Sequence, residues 1–262
     1  GERIGYEGTS LGDHFGVGNA FLQGEAPGLF WGYVTQGIVQ TEDITADGVK
    51  YIKPDGTEGT YKTFSGKNPT AGDVKFVDIN GDGKVDANDR TIIGDPNPDF
   101  TYGFQTSISW KSLTLTASFN GVQGRDILNT GIRYTGTPGQ KSNNITRDAF
   151  HGMWTAETPS NLYPSSSYVV ESVVMDRYVE DGSYLRCEDI TLNYVLPKSW
   201  MKTIGFQNAS VYASVKNAFI ITDYSGYDPE VNSFAFDGLR PGVDMNSYPK
   251  PRSFVFGVNV TF

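Results

Sequence analysis

The sequence predicts an all-β fold whose strands form part of an antiparallel transmembrane β-barrel. Segments of about ten residues, a typical barrel strand length, alternate between apolar and polar side chains, which is the period of a strand with two different surroundings. Their connections are alternately short and long, and aromatic residues cluster near the segment ends, as in outer-membrane barrels. A soluble sandwich explains the alternation equally well, but not the regular difference in connection length.

The first two predicted strands, 100–110 and 113–121, are separated only by Lys111 and Ser112. In the first strand, one face carries the apolar side chains Tyr102, Phe104, Ile108 and Trp110. In the second strand, the apolar face consists of Leu113, Leu115, Ala117 and Phe119. Polar residues and glycine occupy the other face of both strands, so each strand separates an apolar surrounding from a polar one.

Three further strands are predicted at 184–196, 209–221 and 252–262. The short connection 197–207 joins the first two of them, whereas the long stretches 125–181 and 222–251 show little regular patterning. In the last strand one face holds only large apolar residues, which are Phe254, Phe256, Val258, Val260 and Phe262. Five strands with short and long connections in turn are therefore expected.

The segment DINGDGKVDAND, residues 78–89, predicts a calcium loop. An EF-hand loop places oxygen ligands at positions one, three, five, seven, nine and twelve, with glycine at position six for a tight turn. The expected ligands are Asp78, Asn80, Asp82, the backbone carbonyl of Lys84, Asp86 and Asp89, with Gly83 at the turn. Asp89 departs from the usual glutamate, and its shorter side chain reaches the ion bidentately with more difficulty.

The alternative for residues 78–89 is an acidic turn that is held by its own Asx hydrogen bonds and binds no ion tightly. The flanking sequences do not predict two amphipathic helices, and the sequence contains no second loop of this kind. A paired EF-hand sensor is therefore not expected.

Composition limits the classes of function. The chain has 262 residues with a formal net charge of −9, which argues against nucleic acid, because phosphates require a basic face. The single cysteine, Cys187, excludes an internal disulfide framework. The sequence has no run of eighteen apolar residues that would predict a transmembrane helix. The opening GERIGYEG has no initiator methionine and no signal-peptide pattern. We therefore expect a chain that begins after processing or within a longer protein.

Three segments resemble the SusC/RagA family of TonB-dependent outer-membrane transporters of the Bacteroidota. The stretch GDVKFVDINGDGKVDANDRTIIGDPNPDFTYGF is similar to a family signature, APGLFWGYVTQGIVQ to the segment that precedes it, and YPKPRSFVFGVNVTF to the C-terminal strand. The similarity follows the family order over most of the chain. It implies that residues 1–262 are the C-terminal portion of a barrel of about 22 strands with a plugged lumen.

The resemblance also implies an orientation. The C-terminal residue is expected on the periplasmic side, so that loops 125–181 and 222–251, together with the calcium loop, are extracellular. A calcium ion there would hold a surface loop in shape, because extracellular calcium is plentiful. Phe262 is expected to serve as the terminal aromatic signal that the barrel-insertion machinery reads.

The function implied by the resemblance is active import of a nutrient oligomer, a glycan or a peptide, across the outer membrane. Its implied partners are the rest of the barrel and its plug, a SusD-like surface lipoprotein, TonB–ExbB–ExbD acting through the plug, and outer-membrane lipid. The family's N-terminal extension, TonB box and plug are not in these residues. The alternative is a secreted, soluble, calcium-stabilised β module that binds carbohydrate.

Four loop aromatics are candidate contacts for a ligand or for the lipoprotein lid: Trp154, Tyr163, Tyr224 and Tyr227. An enzyme is not expected, because neither of the two histidines, His14 and His151, lies in a nucleophile motif or a metal-ligand spacing. The carboxylates of the calcium loop do not form a pair of the kind that hydrolyses glycosides.

Overall fold

The computed structural model describes residues 18–139, 143–168, 173–236, 238 and 240–262, and the side chains of 202–204 are excepted. The opening stretch GERIGYEG and His14 lie outside the described residues. The chain divides into two compact units. One unit comprises 1–97, 126–180 and 231–247, and the other comprises 98–125, 181–230 and 248–262.

The strands of the first part of the chain are short: β1 (Asn19–Ala20), β2 (Leu29–Gly32), β3 (Thr35–Ile38), β4 (Ile44–Thr45), β5 (Gly48–Ile52), β6 (Glu58–Tyr61), β7 (Thr63–Phe64), β8 (Val74–Phe76), β9 (Lys84–Val85) and β10 (Thr91–Gly94). The later strands are β11 (Phe100–Trp110), β12 (Leu113–Gln123), β13 (Asp126–Asn129), β14 (Val179–Asp181), β15 (Tyr184–Val195), β16 (Asn208–Thr222), β17 (Val243–Asp244) and β18 (Ser253–Thr261). The α-helices are α1 (Gly131–Thr135), α2 (Arg147–Gly152) and α3 (Lys198–Ile204), and single 3₁₀ turns occupy 41–43, 87–89 and 176–178.

The five predicted strands form one antiparallel sheet in the order β11-β12-β15-β16-β18. Their observed bounds differ from the predicted ones by at most two residues at either end, and β11 has the predicted bounds. Cross-strand pairs keep the two faces separate: Ile108 lies opposite Leu115, which lies opposite Leu192. On the other face Ser107 lies opposite Thr116. The predicted all-β fold with an apolar and a polar sheet face is therefore confirmed.

The connection 197–207 contains a helix that the sequence pattern did not reveal. Helix α3 follows Pro197 and ends at Gly205, whose φ of 79° lies in the left-handed region that suits glycine. Proline is favourable beside a helix start because its φ is already restricted. The connection 197–207 is thus longer than a hairpin turn, but it is still shorter than the stretches 125–181 and 222–251.

A β-bulge in β15 changes which side chains share a face. Cys187 pairs with Phe119 and Asp189 pairs with Ser118, so Glu188 is the extra residue. One inserted residue reverses the alternation of side chains. Arg186 therefore pairs with Asn120 on the polar face, whereas strict alternation from Leu192 would place it on the apolar face.

The other unit has a core of its own, built from two- to five-residue strands. Its fully buried side chains include Phe30, Ile38, Tyr61 and Phe76, and the ring of Phe64 stacks on that of Phe76 with centroids 3.9 Å apart. This core was not predicted, because strands this short contain too few alternations to give a periodic signal.

The stretch 125–181 is more regular than its sequence suggested, since it contains β13, α1, α2 and β14. Strand β17, within 222–251, pairs in parallel with β13, with Leu128 opposite Val243. Both stretches therefore contribute to a packed unit. Among the described residues, no helix combines the length and the apolar character needed to cross a membrane.

Candidate functional sites

The loop 78–89 is organised around two buried carboxylates at its ends. Asp78 is 1% exposed and Asp89 is 0% exposed. The Oδ1 and Oδ2 atoms of Asp78 accept hydrogen bonds from the backbone N–H groups of Gly81 (2.6 Å) and Gly83 (2.8 Å). Oδ1 of Asp89 accepts from the backbone of Ile79 at 2.9 Å. The first and twelfth positions thus fold the loop back on itself.

The electrostatics at Asp89 favour a cation nearby. Burial raises the pKa of Asp89, backbone donors including Asp86 N–H lower it, and the carboxylate of Asp78 raises it again. Neither Asp78 nor Asp89 forms a salt bridge with any residue that the structure describes. Two buried like charges without a basic partner are costly, and a cation between them would relieve that cost.

The other expected ligands are arranged differently. Asp82 and Asp86 face the ammonium of Lys84, whose Nζ lies 3.7 Å from Asp82 Oδ2 and 3.3 Å from Asp86 Oδ2. The Oδ1 of Asn80 accepts from the backbone of Asp82 at 2.9 Å, which is an Asx turn. Within the described ranges, no three acidic, histidine or cysteine side chains converge closely enough to enclose a metal.

The loop residues therefore fit calcium in type, whereas the carboxylates of Asp78 and Asp89 accept backbone N–H groups in this structure. Calcium binding would require Asp82 and Asp86 to turn from Lys84 toward Asp78 and Asp89. The hydroxyl of Tyr51 supports the loop from the core by donating to the carbonyl of Asp78 at 2.8 Å. Burial raises the pKa of Tyr51 to about 12, which keeps this donor protonated.

The four candidate aromatics lie in different environments. Trp154 is half-buried, and its indole N–H donates to Oε1 of Gln40 at 2.9 Å. Tyr163 is half-buried and forms a β-bridge with Met153. Tyr224 is buried at 5% exposure, whereas Tyr227 is 75% exposed. Contact with a ligand or a lid remains a prediction for all four, and only Tyr227 presents most of its ring.

A charged cluster that sequence reasoning missed lies at the polar face of the five-stranded sheet. Arg186 is 4% exposed, and its Nη2 lies 2.5 Å from Oδ1 of Asp228. Its Nε lies 3.1 Å from Oε2 of Glu230, which also binds Nζ of Lys250 at 2.7 Å. Arg186 and Asp228 are 42 residues apart in the chain. The sequence signals for this cluster are an arginine within the predicted strand 184–196 and a DPE triplet, residues 228–230, in a loop.

The apolar face of the same sheet is open. Ile108 is 62% exposed, Phe254 is 65% exposed and Phe256 is 77% exposed. Phe262, just beyond β18, is 80% exposed and makes an edge-to-face ring contact with Phe206, with centroids 5.1 Å apart. Large aromatic and aliphatic side chains are therefore uncovered along a whole sheet face of this chain.

Curated relatives of the chain are TonB-dependent receptors. The chain is 34% identical over 244 residues to TonB-dependent receptor P3 of Formosa agariphila, and the aligned region covers 92% of this chain and 22% of the relative. It is 33% identical over 193 residues to TonB-dependent receptor SusC of Bacteroides thetaiotaomicron, covering 71% of this chain and 17% of the relative. The chain thus spans about a fifth of the length of these relatives. No family model matches it.

Solved structures with the same fold include the RagAB peptide importer. The RagAB peptide importer in its open-open state superposes with a TM-score of 0.67 at 23% identity, covering 94% of this chain and 23% of that chain. The closed-closed state of the same importer gives a TM-score of 0.68 at 22% identity, covering 99% of this chain and 25% of that chain. At this level of identity the likeness concerns the fold alone.

Proposed function

The chain belongs to the SusC/RagA family of TonB-dependent receptors, and on that premise we propose that it forms the C-terminal part of a transporter that imports nutrient oligomers across the outer membrane. In this proposal the five strands β11, β12, β15, β16 and β18 are the last strands of a barrel of about 22 strands. The preceding strands and the plug belong to the rest of the protein.

The observation that carries the proposal is the exposed apolar face of the sheet. A soluble sandwich buries such a face against a second sheet, whereas side chains such as Ile108, Phe254 and Phe256 are more than half exposed here. Lipid is the surrounding in which an exposed face of this composition is stable. The soluble carbohydrate-binding module would leave the face in water.

The composition of the polar sheet face supports the proposal that this face lines the lumen of the barrel. It carries Thr114, Thr116 and Ser118 on β12 and their partners Asn193, Thr191 and Asp189 on β15. Hydrogen bonds link its side chains across strands, as between Ser214 Oγ and Asp189 Oδ2 at 2.7 Å. A surface of hydroxyls and amides suits a water-filled or plugged interior.

The proposed orientation places the C-terminus in the periplasm and the stretches 125–181 and 222–251 outside the cell. This assignment follows from short periplasmic turns and long extracellular loops in outer-membrane barrels. The loop 78–89 then lies outside as well, where one structural calcium ion would fix its shape. Binding of nucleic acid is not part of the proposal.

The proposed partners are a SusD-like lipoprotein at the outer surface and TonB–ExbB–ExbD at the inner side, acting through the plug. SusC and the RagAB importer are the comparisons that support them. The cargo is proposed to be a glycan or peptide oligomer, and no catalytic role is assigned to this chain.

Deletion of the gene for the full-length receptor should test the import function. Growth on one oligomeric glycan or peptide should be lost, while growth on its monomer persists, because small monomers do not need this transporter. Re-expression of the receptor should restore growth. Unchanged growth of the deletion strain on a broad panel of oligomers would refute import.

Extraction separates the barrel from the soluble module. The chain 1–262 produced alone should need detergent, because its sheet has two unpaired edges and an exposed apolar face. A monomeric, cooperatively folded chain in detergent-free buffer would support the soluble module instead.

A further inference from the structure

We propose that a pocket beside β18 binds a single oxyanion group, a carboxylate or a sulfate, carried by an oligosaccharide cargo. This inference rests on the proposed import function and names a class of cargo for it. The pocket belongs entirely to the unit that contains the five-stranded sheet and has a volume of about 160 Å³. Its lining includes Arg186, Asn217, Tyr227, Asp228, Lys250 and Arg252.

The charge balance of the pocket favours an anion. Its three cations are Arg186, Lys250 and Arg252, and the carboxylates that pair with the first two are Asp228 and Glu230. Three positive charges minus two negative charges leave one positive charge, in a chain whose net charge is −9. A local positive excess in an acidic protein attracts an anion specifically to that place.

Arg252 is the cation that remains available. Arg186 is committed to Asp228 and Glu230, and Lys250 shares Glu230 with it. Within the described residues, Arg252 is exposed and has no acidic partner, and its Nε lies 3.4 Å from the carbonyl oxygen of Asn217. Its remaining donors match the oxygen spacing of a carboxylate or sulfate, which a planar guanidinium binds with two parallel hydrogen bonds.

The acidic residue in the lining does not oppose this binding. Asp228 is 4% exposed, and its Oδ1 accepts from Arg186 Nη2 at 2.5 Å and from the backbone of Glu230 at 3.0 Å. Its Oδ2 faces the backbone N–H of Lys250 at 3.3 Å. These donors compensate its charge, so that the open part of the pocket is governed by Arg252 and by the ammonium of Lys250.

Tyr227 favours a sugar over an acidic peptide. Its ring is 75% exposed in the pocket lining and offers an apolar surface next to the cations. A sugar ring has an apolar face of C–H groups with the charged group fixed at its edge, so one residue would stack on Tyr227 and reach Arg252 together. In an acidic peptide the carboxylate lies on a flexible stem, and ordering that stem costs conformational entropy.

Binding to the purified full-length receptor tests the pocket without requiring transport. The probes are trigalacturonate, its carboxyl-reduced neutral counterpart, a sulfated galactan oligosaccharide and an acidic hexapeptide. Isothermal titration should show tighter binding of a charged sugar than of the neutral one, with a difference that shrinks as salt is raised. Arg252→Gln should weaken binding of the charged sugar about tenfold or more, because a hydrogen bond to a charged group is lost, and should leave the neutral sugar unaffected.

Arg147→Gln is the matched control, because Arg147 is exposed, forms no salt bridge with the described residues and lies outside this pocket. Preference for the carboxylated or for the sulfated sugar identifies the oxyanion, and either result supports the proposal. Equal effects of the two substitutions, no preference for charged sugars, or binding only of the acidic peptide would overturn it. If the full-length receptor binds the charged sugar through Arg252 but does not import it, the transport function is wrong and the pocket is not.

Discussion

The ring of Tyr212 on β16 covers Gly257, its direct cross-strand partner on β18. A Cβ atom at Gly257 would lie 2.3 Å from Cζ of Tyr212, far inside the contact distance. Tyr102 and Gly121 form the same arrangement between β11 and β12, with a corresponding distance of 2.3 Å. An aromatic ring over a strand glycine covers exposed backbone and fixes the register of the pair.

Gly257→Ala should therefore destabilise the assembled barrel by about 1–3 kcal/mol, because the ring of Tyr212 must leave its position. The fraction of heat-modifiable, folded full-length receptor on electrophoresis measures the effect. Gly103→Ala is the control, since a Cβ at this strand position meets only the carbonyl oxygen of Phe119 at 3.4 Å. Adding Tyr212→Ser to Gly257→Ala should restore folding; failure of that rescue would show that the ring is not the cause.

Calcium should bind the loop 78–89 with one ion per chain, held by oxygen atoms at about 2.3–2.6 Å. The expected ligands are Asp78, Asn80, Asp82, Asp86, Asp89 and the carbonyl of Lys84. Calcium should raise the melting temperature of the receptor, and Asp89→Asn should remove that rise because a buried negative charge is lost. Asp55→Asn is the control, since Asp55 lies in an exposed turn outside this loop, where its Oδ1 accepts from the backbone and the hydroxyl of Thr57. If the loop is ordered at millimolar calcium and water, not a metal ion, lies between these oxygens, the alternative of a metal-free Asx turn is correct.

Deletion of Phe262 should lower the amount of receptor in the outer membrane. It should have little effect on the stability of the receptor molecules that are inserted. The ring of Phe262 is 80% exposed and contacts only Phe206 among the ring pairs of the described residues. Phe206→Ala removes the same ring contact and keeps the terminal aromatic, so it separates packing from the assembly signal. Normal membrane abundance of the truncated full-length receptor would contradict a role in assembly.

The two faces of β12 should respond differently to charge. Leu115 and Ala117 lie on the apolar face, and arginine at either position should cost on the order of 2–4 kcal/mol near the bilayer midplane. Thr116 lies on the polar face opposite Ser107 and Thr191, so Thr116→Arg should be better tolerated. Fluorophores on single cysteines at the three positions should be quenched by a lipid-soluble quencher at 115 and 117 only. Protection of 115 and 117 from lipid would exclude the barrel wall.

The sequence by itself determined the five long strands and the two faces of most of them. Each strand has about ten residues, which is enough for several alternations, and each alternation depends only on neighbouring residues. The calcium loop 78–89 was also predicted from twelve consecutive residues, because its ligand spacing is local, and calcium binding there stays a prediction. In the structure Asp78 and Asp89 do lie at the buried ends of that loop.

Only the tertiary structure decided where Arg186 points. Alternation counted back from Leu192 assigns Arg186 to the apolar face, but the bulge at Glu188 moves it to the polar face, where it meets Asp228. A bulge depends on pairing with neighbouring strands and leaves no periodic signal in its own sequence. The cover of Tyr212 over Gly257 and the core built from short strands likewise depend on residues distant in the chain. Such contacts form only when loop closure brings these segments together, and a local pattern carries no information about that closure.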